Sequence, residues 1–149
     1  MSLPYAGILT QLAEHVGIDP ASLLAHQVLR IEALDIFLQP GGVQDAPEVV
    51  LCSLLGMPPA PRLAEVLRTL MQANHRWLGT GGGILGLAPA GNAISWSLRV
   101  RSHDLDGATL AAAIAGYAAL GQAWMQYLAV DVAASTPGSV PALNVAMRA

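Results

Sequence analysis

Few residues of this 149-residue chain have the types and spacing that metal or redox chemistry needs. The histidines are His15, His26, His75 and His103, and none has a second ligand at the spacing of about three to five residues typical of zinc sites. Cys52 is the only cysteine, so neither an intramolecular disulfide nor a thiolate cluster can form. The sequence therefore predicts no metal site and no cofactor.

Residues for covalent or phosphoryl-transfer catalysis are also missing. All seven basic residues are arginines, which excludes phosphate-loop NTPases, Schiff-base enzymes and lysine-dependent kinases. The glycine-rich run 79–83 precedes a predicted strand, so it indicates the entry to a hairpin and not a phosphate cradle. Ser53, Ser95 and Ser97 lie within predicted strands and not in the strained elbow of a serine hydrolase. We therefore predict a protein that is not an enzyme.

Composition and charge limit the classes of partner. Hydrophobic residues make up 54% of the chain and charged residues only 11%, against roughly 25% charged in an average soluble domain. The net charge is −3 and the arginines are scattered, which argues against nucleic acid as a partner. The chain does not start with basic residues followed by an apolar run, as a secretory signal does, so we expect a cytoplasmic protein. An unusually apolar surface is predicted, and protein partners are the natural reason for one.

Residues 107–130 carry no charge and are long enough to span a bilayer. Alanine and glycine dominate the segment, Gln122 and Gln126 interrupt it, and its larger side chains form one stripe. We therefore predict a helix of a globular domain, and a membrane anchor is the least favoured alternative.

The hydrophobic periodicity predicts three helices and five strands. The first helix begins at Tyr5 and ends at Gly17, where Asp19-Pro20 supplies a stop. Strands follow at 26–31, 34–38 and 48–55, then a helix over 62–76, strands at 84–88 and 93–101, and a helix that Asp106 caps. This α-β-β-β-α-β-β-α order predicts an α+β fold, an antiparallel sheet with helices packed on it. We expect one domain over residues 1–132 and a Pro- and Ala-containing tail over 133–149.

Several short motifs lie at the junctions of these predicted elements. The most specific stretch runs from residue 67 to residue 128. The motifs are Ala73-Asn74 at the end of the second helix, Gly82-Gly83 before the fourth strand, Leu105-Asp106 before the third helix and Trp124 near its end. With the order of elements over residues 5–130, they resemble the type III secretion chaperones of the CesT/Tir-chaperone family. The chain departs from the usual pattern in having no lysine and in Leu24-Ala25-His26, where an acidic strand entry is common.

The resemblance implies a homodimer in the bacterial cytoplasm, without ATPase activity, that binds the N-terminal region of a secreted effector and keeps it extended. An extended client can add to a sheet edge through its main chain and place alternate side chains in apolar grooves. A secretion ATPase is a further candidate partner. The alternatives are an adaptor or regulatory interaction module of the same fold, and a small enzyme whose polar groups, such as His26, Asp35 and Arg30, converge only in the folded state.

Two sets of mainly apolar residues are the candidate interfaces. The resemblance implies that the second helix contributes to the two-fold contact, and its apolar stripe is wider than one sheet face needs. The predicted dimer residues are Leu63, Leu67, Leu70, Met71, Asn74 and Trp77. The predicted client-binding residues are Val28, Leu29, Ile31, Leu34, Ile36, Leu38, Val50 and Leu54, of which strand alternation allows only about half to face outward.

Overall fold

The computed structural model describes residues 4–41 and 47–130. Four helices are present in this part of the chain: α1 (Tyr5–Val16), α2 (Pro20–His26), α3 (Leu63–Asn74) and α4 (Gly107–Ala129). The five strands are β1 (Val28–Ile31), β2 (Leu34–Pro40), β3 (Glu48–Gly56), β4 (Ile84–Leu87) and β5 (Ile94–Arg101). Short 3₁₀ turns at Ala60–Arg62 and His75–Trp77 flank α3. The predicted tail over 133–149 lies outside the described residues.

The predicted α+β class is confirmed, with one helix that the sequence analysis missed. The strands form one antiparallel sheet in the order β1-β2-β3-β5-β4, so β1 and β4 are its edges. Helix α2 occupies residues that were predicted as a stop and as the start of a strand. Asp19 is its N-cap, because its carboxylate accepts a hydrogen bond from the Ser22 N–H at 2.8 Å, and Pro20 is its first residue. A cap followed by proline begins a helix as readily as it ends the preceding one.

The core lies between the sheet and helix α4, with α1 packed beside α4. Trp96 of β5 stacks on Tyr117 of α4 with ring centroids 4.0 Å apart, and the Tyr117 hydroxyl donates to the Trp96 carbonyl. Gly121 allows the close approach, because a Cβ there would lie 2.8 Å from atoms of both Leu34 and Trp96. The apolar segment 107–130 is therefore the central helix of a packed domain. Within the described residues, no helix combines the length and apolar character that crossing a membrane requires.

The predicted cap of α4 is confirmed. The Asp106 carboxylate accepts a hydrogen bond from the Thr109 N–H at 2.7 Å, and this bond holds the pKa of Asp106 below its ordinary value. A lowered pKa means that the ionised carboxylate stabilises the folded state. That contribution is present above the pKa of an unfolded aspartate and is lost as the pH falls through the lowered pKa.

We expect Asp106→Ala to lower the Tm at neutral pH, because an orphan helix N–H loses its acceptor. The difference from the wild-type protein should shrink as the pH falls through the lowered pKa of Asp106. Thermal unfolding followed by circular dichroism across acidic to neutral pH measures both effects. Asp104→Ala, in the same exposed loop, is the control and should show little change. A Tm loss that is the same at every pH would contradict this account of the cap.

Candidate binding surfaces

The two faces of the sheet differ in what covers them. Helix α4 packs on one face, where Ile36, Leu51 and Trp96 are buried. Residues of the opposite face remain accessible: Phe37 is 45% exposed and Leu54 is 59% exposed. We call this second face the open face, and its aligned residues from β1 to β4 are Val28, Phe37, Cys52, Ser97 and Ile84.

The central aligned row of the open face is mostly apolar, and the charged residues Arg30, Asp35, Arg99 and Arg101 flank it on the same side of the sheet. Four of its five aligned residues are apolar, and a row of this kind suits contact with apolar side chains of another chain. Burial raises the pKa of the Cys52 thiol, so at neutral pH the residue is protonated and acts as a small apolar side chain. An exposed ion pair borders the row, with Arg30 Nε 2.9 Å from Asp35 Oδ1. Arg30 and Asp35 therefore do not form the buried polar pocket, together with His26, that the enzyme alternative requires.

Strand β1 has a free outer edge. The Leu38 N–H donates to the Gln27 carbonyl at 2.8 Å, which fixes Gln27, Leu29 and Ile31 as the residues that face β2. By alternation, the N–H and C=O groups of Val28 and Arg30 point away from the sheet. Neither backbone N–H has a hydrogen-bond acceptor within the described residues. This edge can therefore accept a further strand.

Apolar residues of α1 and α2 lie next to β1 in the chain. Val16, Ile18 and Leu24 are at least one-third exposed, and α2 continues directly into β1 through Gln27. Gln27 has a left-handed backbone (φ 53°), and its side-chain oxygen accepts a hydrogen bond from the Tyr5 hydroxyl at 2.9 Å. Burial raises the pKa of Tyr5 to about 12, so the hydroxyl keeps its proton and remains a donor. This bond anchors the start of the edge strand to α1.

The structure separates the eight predicted client-binding residues by face. Leu34, Ile36 and Leu38 are fully buried against the helices. The prediction that they contact a client is therefore corrected: they belong to the core of the domain. Leu29 and Ile31 pair with Ile36 and Leu34, share their side of the sheet and are half-buried against the core. The remaining residues lie on the open face: Val28, Val50 and Leu54. Phe37 also lies there and was not predicted, because a lone aromatic between Asp35 and Gln39 gave no apolar pattern.

A second apolar surface surrounds the C-terminal half of α3. Met71 is 75% exposed and Trp77 is 62% exposed, and both belong to the predicted dimer set. The backbone of Arg76 and Trp77 is left-handed, with φ near 55° at both residues, and this strained turn holds the indole at the surface. We call this region the α3–β4 surface; its exposed apolar residues are Met71, Trp77, Leu78, Ile84 and Leu87.

The other predicted dimer residues contribute less to this surface. Leu70 is buried in the core, so it belongs to the protomer's own packing. Leu63 and Leu67 are half-buried, and Leu67 lines a surface groove of about 580 Å³ along α3. The side chain of Asn74 is already engaged by the backbone of β4. Leu78, Ile84 and Leu87 were missed, since exposure in a turn and at a sheet edge depends on the strand order.

Within residues 4–41 and 47–130, no group of three or more His, Cys, Asp or Glu side chains could hold a metal ion. The structure has an α+β fold with a free strand edge, an open sheet face with a mostly apolar central row, and exposed apolar residues around α3. A free strand edge and exposed apolar residues are features that protein-binding domains commonly have.

Comparison with known proteins supports this class. The family model of the Tir chaperone protein (CesT) family matches residues 7–125, and the chain belongs to that family. No curated protein sequence matches the chain. Solved structures that share the fold include two complexes. One is described as the structure of the HopA1-SchA chaperone-effector complex (TM-score 0.58, 16% identity, 83% of this chain and 91% of the other). The other is described as the crystal structure of the ExsC-ExsE complex (TM-score 0.66, 16% identity, 86% and 97%).

Proposed function

We propose that this protein is a type III secretion chaperone that binds the N-terminal region of a secreted effector as an extended chain. The observation that carries the proposal is the free edge of β1, with the unpaired backbone groups of Val28 and Arg30 pointing outward. Membership of the CesT family supports it. A solved structure with the same fold, described as a chaperone-effector complex, is consistent with it.

A client strand on β1 would form main-chain hydrogen bonds that do not depend on its sequence. Specificity would come from side chains that contact the open face at Val28, Phe37 and Leu54 on one side and Leu24 on the other. Each large apolar side chain buried in this way contributes about 1.5–3 kcal/mol before the ordering cost of the client is subtracted. Pairing along an edge also holds the client extended, which is the conformation that secretion requires.

The proposed activity needs no nucleotide. The chain has no lysine to contact a phosphate, and strand pairing and apolar burial supply the binding energy. Release would therefore depend on a competing partner, and the secretion ATPase is the candidate. We place the protein in the bacterial cytoplasm, where an effector must be bound before its export.

Purification of the tagged protein from its native host, followed by mass spectrometry, tests the function. We expect one or a few secreted effectors to co-purify, and a peptide covering only the effector's N-terminal region to be sufficient for binding. Recovery of only secretion-apparatus components would favour the adaptor alternative. A client bound solely through a folded C-terminal domain would contradict the proposed mode.

We further propose that two copies of the chain associate through the α3–β4 surface. Met71 and Trp77 are large and exposed, and a monomer rarely leaves such residues uncovered together. An isologous two-fold contact would place the surface against its own copy and bury both residues twice. The client-binding edge at β1 lies at the opposite end of the sheet, so both partners could bind at once.

Met71→Asp is expected to convert the dimer to a monomer, because the substitution buries an unpaired charge in the contact. The fold should be unaffected, since the Met71 side chain is exposed in the protomer. Sedimentation equilibrium gives the mass and circular dichroism checks the helix content. Arg68→Asp, an exposed change one turn earlier on α3, tests whether any new acid on this helix has the effect. A variant at Met71 that keeps the wild-type mass would remove this surface from the interface.

A further inference from the structure

The outer edge of β4 is occupied by a side chain. The Asn74 amide group lies beside Leu85: its Nδ2 donates to the Leu85 carbonyl at 2.8 Å, and its Oδ1 accepts from the Leu85 N–H at 2.9 Å. One donor and one acceptor of the same strand residue are thus satisfied together. A neighbouring β-strand makes the same pair of hydrogen bonds.

Alternation along β4 shows that these are the edge-facing groups. The Ala88 N–H donates to the Ala93 carbonyl. The backbone N–H and C=O groups of residues 84, 86 and 88 therefore point toward β5, and those of residues 83, 85 and 87 point away from the sheet. The outward Gly83 N–H donates to the Thr80 carbonyl at 3.0 Å. Of these three outward N–H groups, only that of Leu87 has no acceptor within the described residues.

The sequence of β4 does little to prevent unwanted pairing with another extended chain if its edge is free. The strand reads Ile-Leu-Gly-Leu, with no charge and no proline, and Ile84 and Leu87 are both exposed. Edge strands that lack charge and proline have fewer of the features that prevent pairing with other extended chains. Strand β1, at the other edge, carries Arg30 and has no side chain bonded across its outward N–H groups in the described part of the chain.

We propose that Asn74 acts as a strand substitute that closes the β4 edge, so that extended chains are directed to β1. The proposal deepens the chaperone function and rests on it for the role of β1. In the proposed dimer, β4 would then contact the second copy through side chains and would not pair with it as a continuous sheet. Asn74 would therefore determine which edge of the sheet an extended partner can pair with.

Amide hydrogen exchange of the wild-type protein tests the closure without any client. We expect the Leu85 N–H to exchange about five- to tenfold more slowly than the outward N–H groups of Val28 and Arg30, because a net hydrogen bond contributes about 1 kcal/mol. A Leu85 N–H that exchanges as fast as that of Arg30 would overturn the proposal. This measurement stands even if substitutions at Asn74 prevent folding.

Asn74→Ala tests what the closure does. We expect exchange at Leu85 to rise to the rate of Val28. In the Met71→Asp background, where the proposed dimer no longer covers β4, sedimentation velocity should show that Asn74→Ala causes association through β4. Gln72→Ala, at an exposed position of the same helix, should change neither property. A folded Met71→Asp, Asn74→Ala double variant with fast Leu85 exchange that stays monomeric would overturn the proposal that Asn74 prevents pairing at β4. The second copy of this chain is the probe, so a failure here leaves effector binding untouched.

Discussion

Replacing Ile36 with aspartate is expected to unfold the protein, whereas replacing its neighbour Phe37 with aspartate is expected to leave it folded. Ile36 has no exposed surface and lies between the sheet and the helices. A carboxylate there would lose its hydration without gaining a partner, at a cost of more than about 4 kcal/mol. That cost approaches the lower end of the stability of a typical domain, about 5–15 kcal/mol.

Phe37 is adjacent in sequence but lies on the open face, where a carboxylate keeps its water. Urea unfolding of the two variants, followed by circular dichroism, measures the contrast directly. Equal destabilisation by both substitutions would contradict the assignment of the two faces. If Ile36→Asp were folded and Phe37→Asp unfolded, the helices would lie on the other side of the sheet.

Arg30→Pro is expected to weaken effector binding at least about tenfold while preserving the fold, because proline removes an outward N–H and its ring blocks the edge. The Arg30 N–H faces away from β2, so no ladder hydrogen bond is lost. Proline is tolerated at such an edge position. Leu29 before it is already extended, as a residue preceding proline must be.

Arg30→Ala is the matched control for this substitution. It removes the guanidinium and its ion pair with Asp35 but keeps the backbone N–H. Because that pair is exposed, its loss should cost less than about 1 kcal/mol of stability. Isothermal titration calorimetry with the effector that co-purifies with the protein gives both affinities. If Arg30→Ala weakens binding as much as Arg30→Pro, the side chain and not the strand edge makes the contact.

Much of this fold could be predicted from local sequence signals. The alternation of Ile94, Trp96, Leu98 and Val100 identified β5 and its helix-covered side, and Asp106 marked the start of α4. These signals are local, because side-chain period and cap chemistry depend on residues close in the chain. Helix α2 was missed because seven residues are too few to show a helical periodicity. Asp19-Pro20 was therefore interpreted only as the end of the preceding helix.

The interfaces were harder to predict, because they depend on relationships between distant segments. Both sides of β3 are apolar, with Val49 and Leu51 covered and Val50 and Leu54 on the open face, so alternation could not tell them apart. Which strands form the edges follows from the pairing of β3 with β5, which no local pattern encodes. The bonds between Asn74 and Leu85 likewise require the turn after α3 to bring that helix against β4.

Amide hydrogen exchange of the complex between this protein and its effector tests directly whether the client pairs with β1. We expect binding to protect the N–H groups of Val28 and Arg30, which have no hydrogen-bond acceptor within the described residues of the unbound protein. The Leu87 N–H at the other edge of the sheet should be unaffected by the effector. Unchanged exchange at Val28 and Arg30, or new protection at Leu87 in their place, would contradict the claim that the client adds to β1.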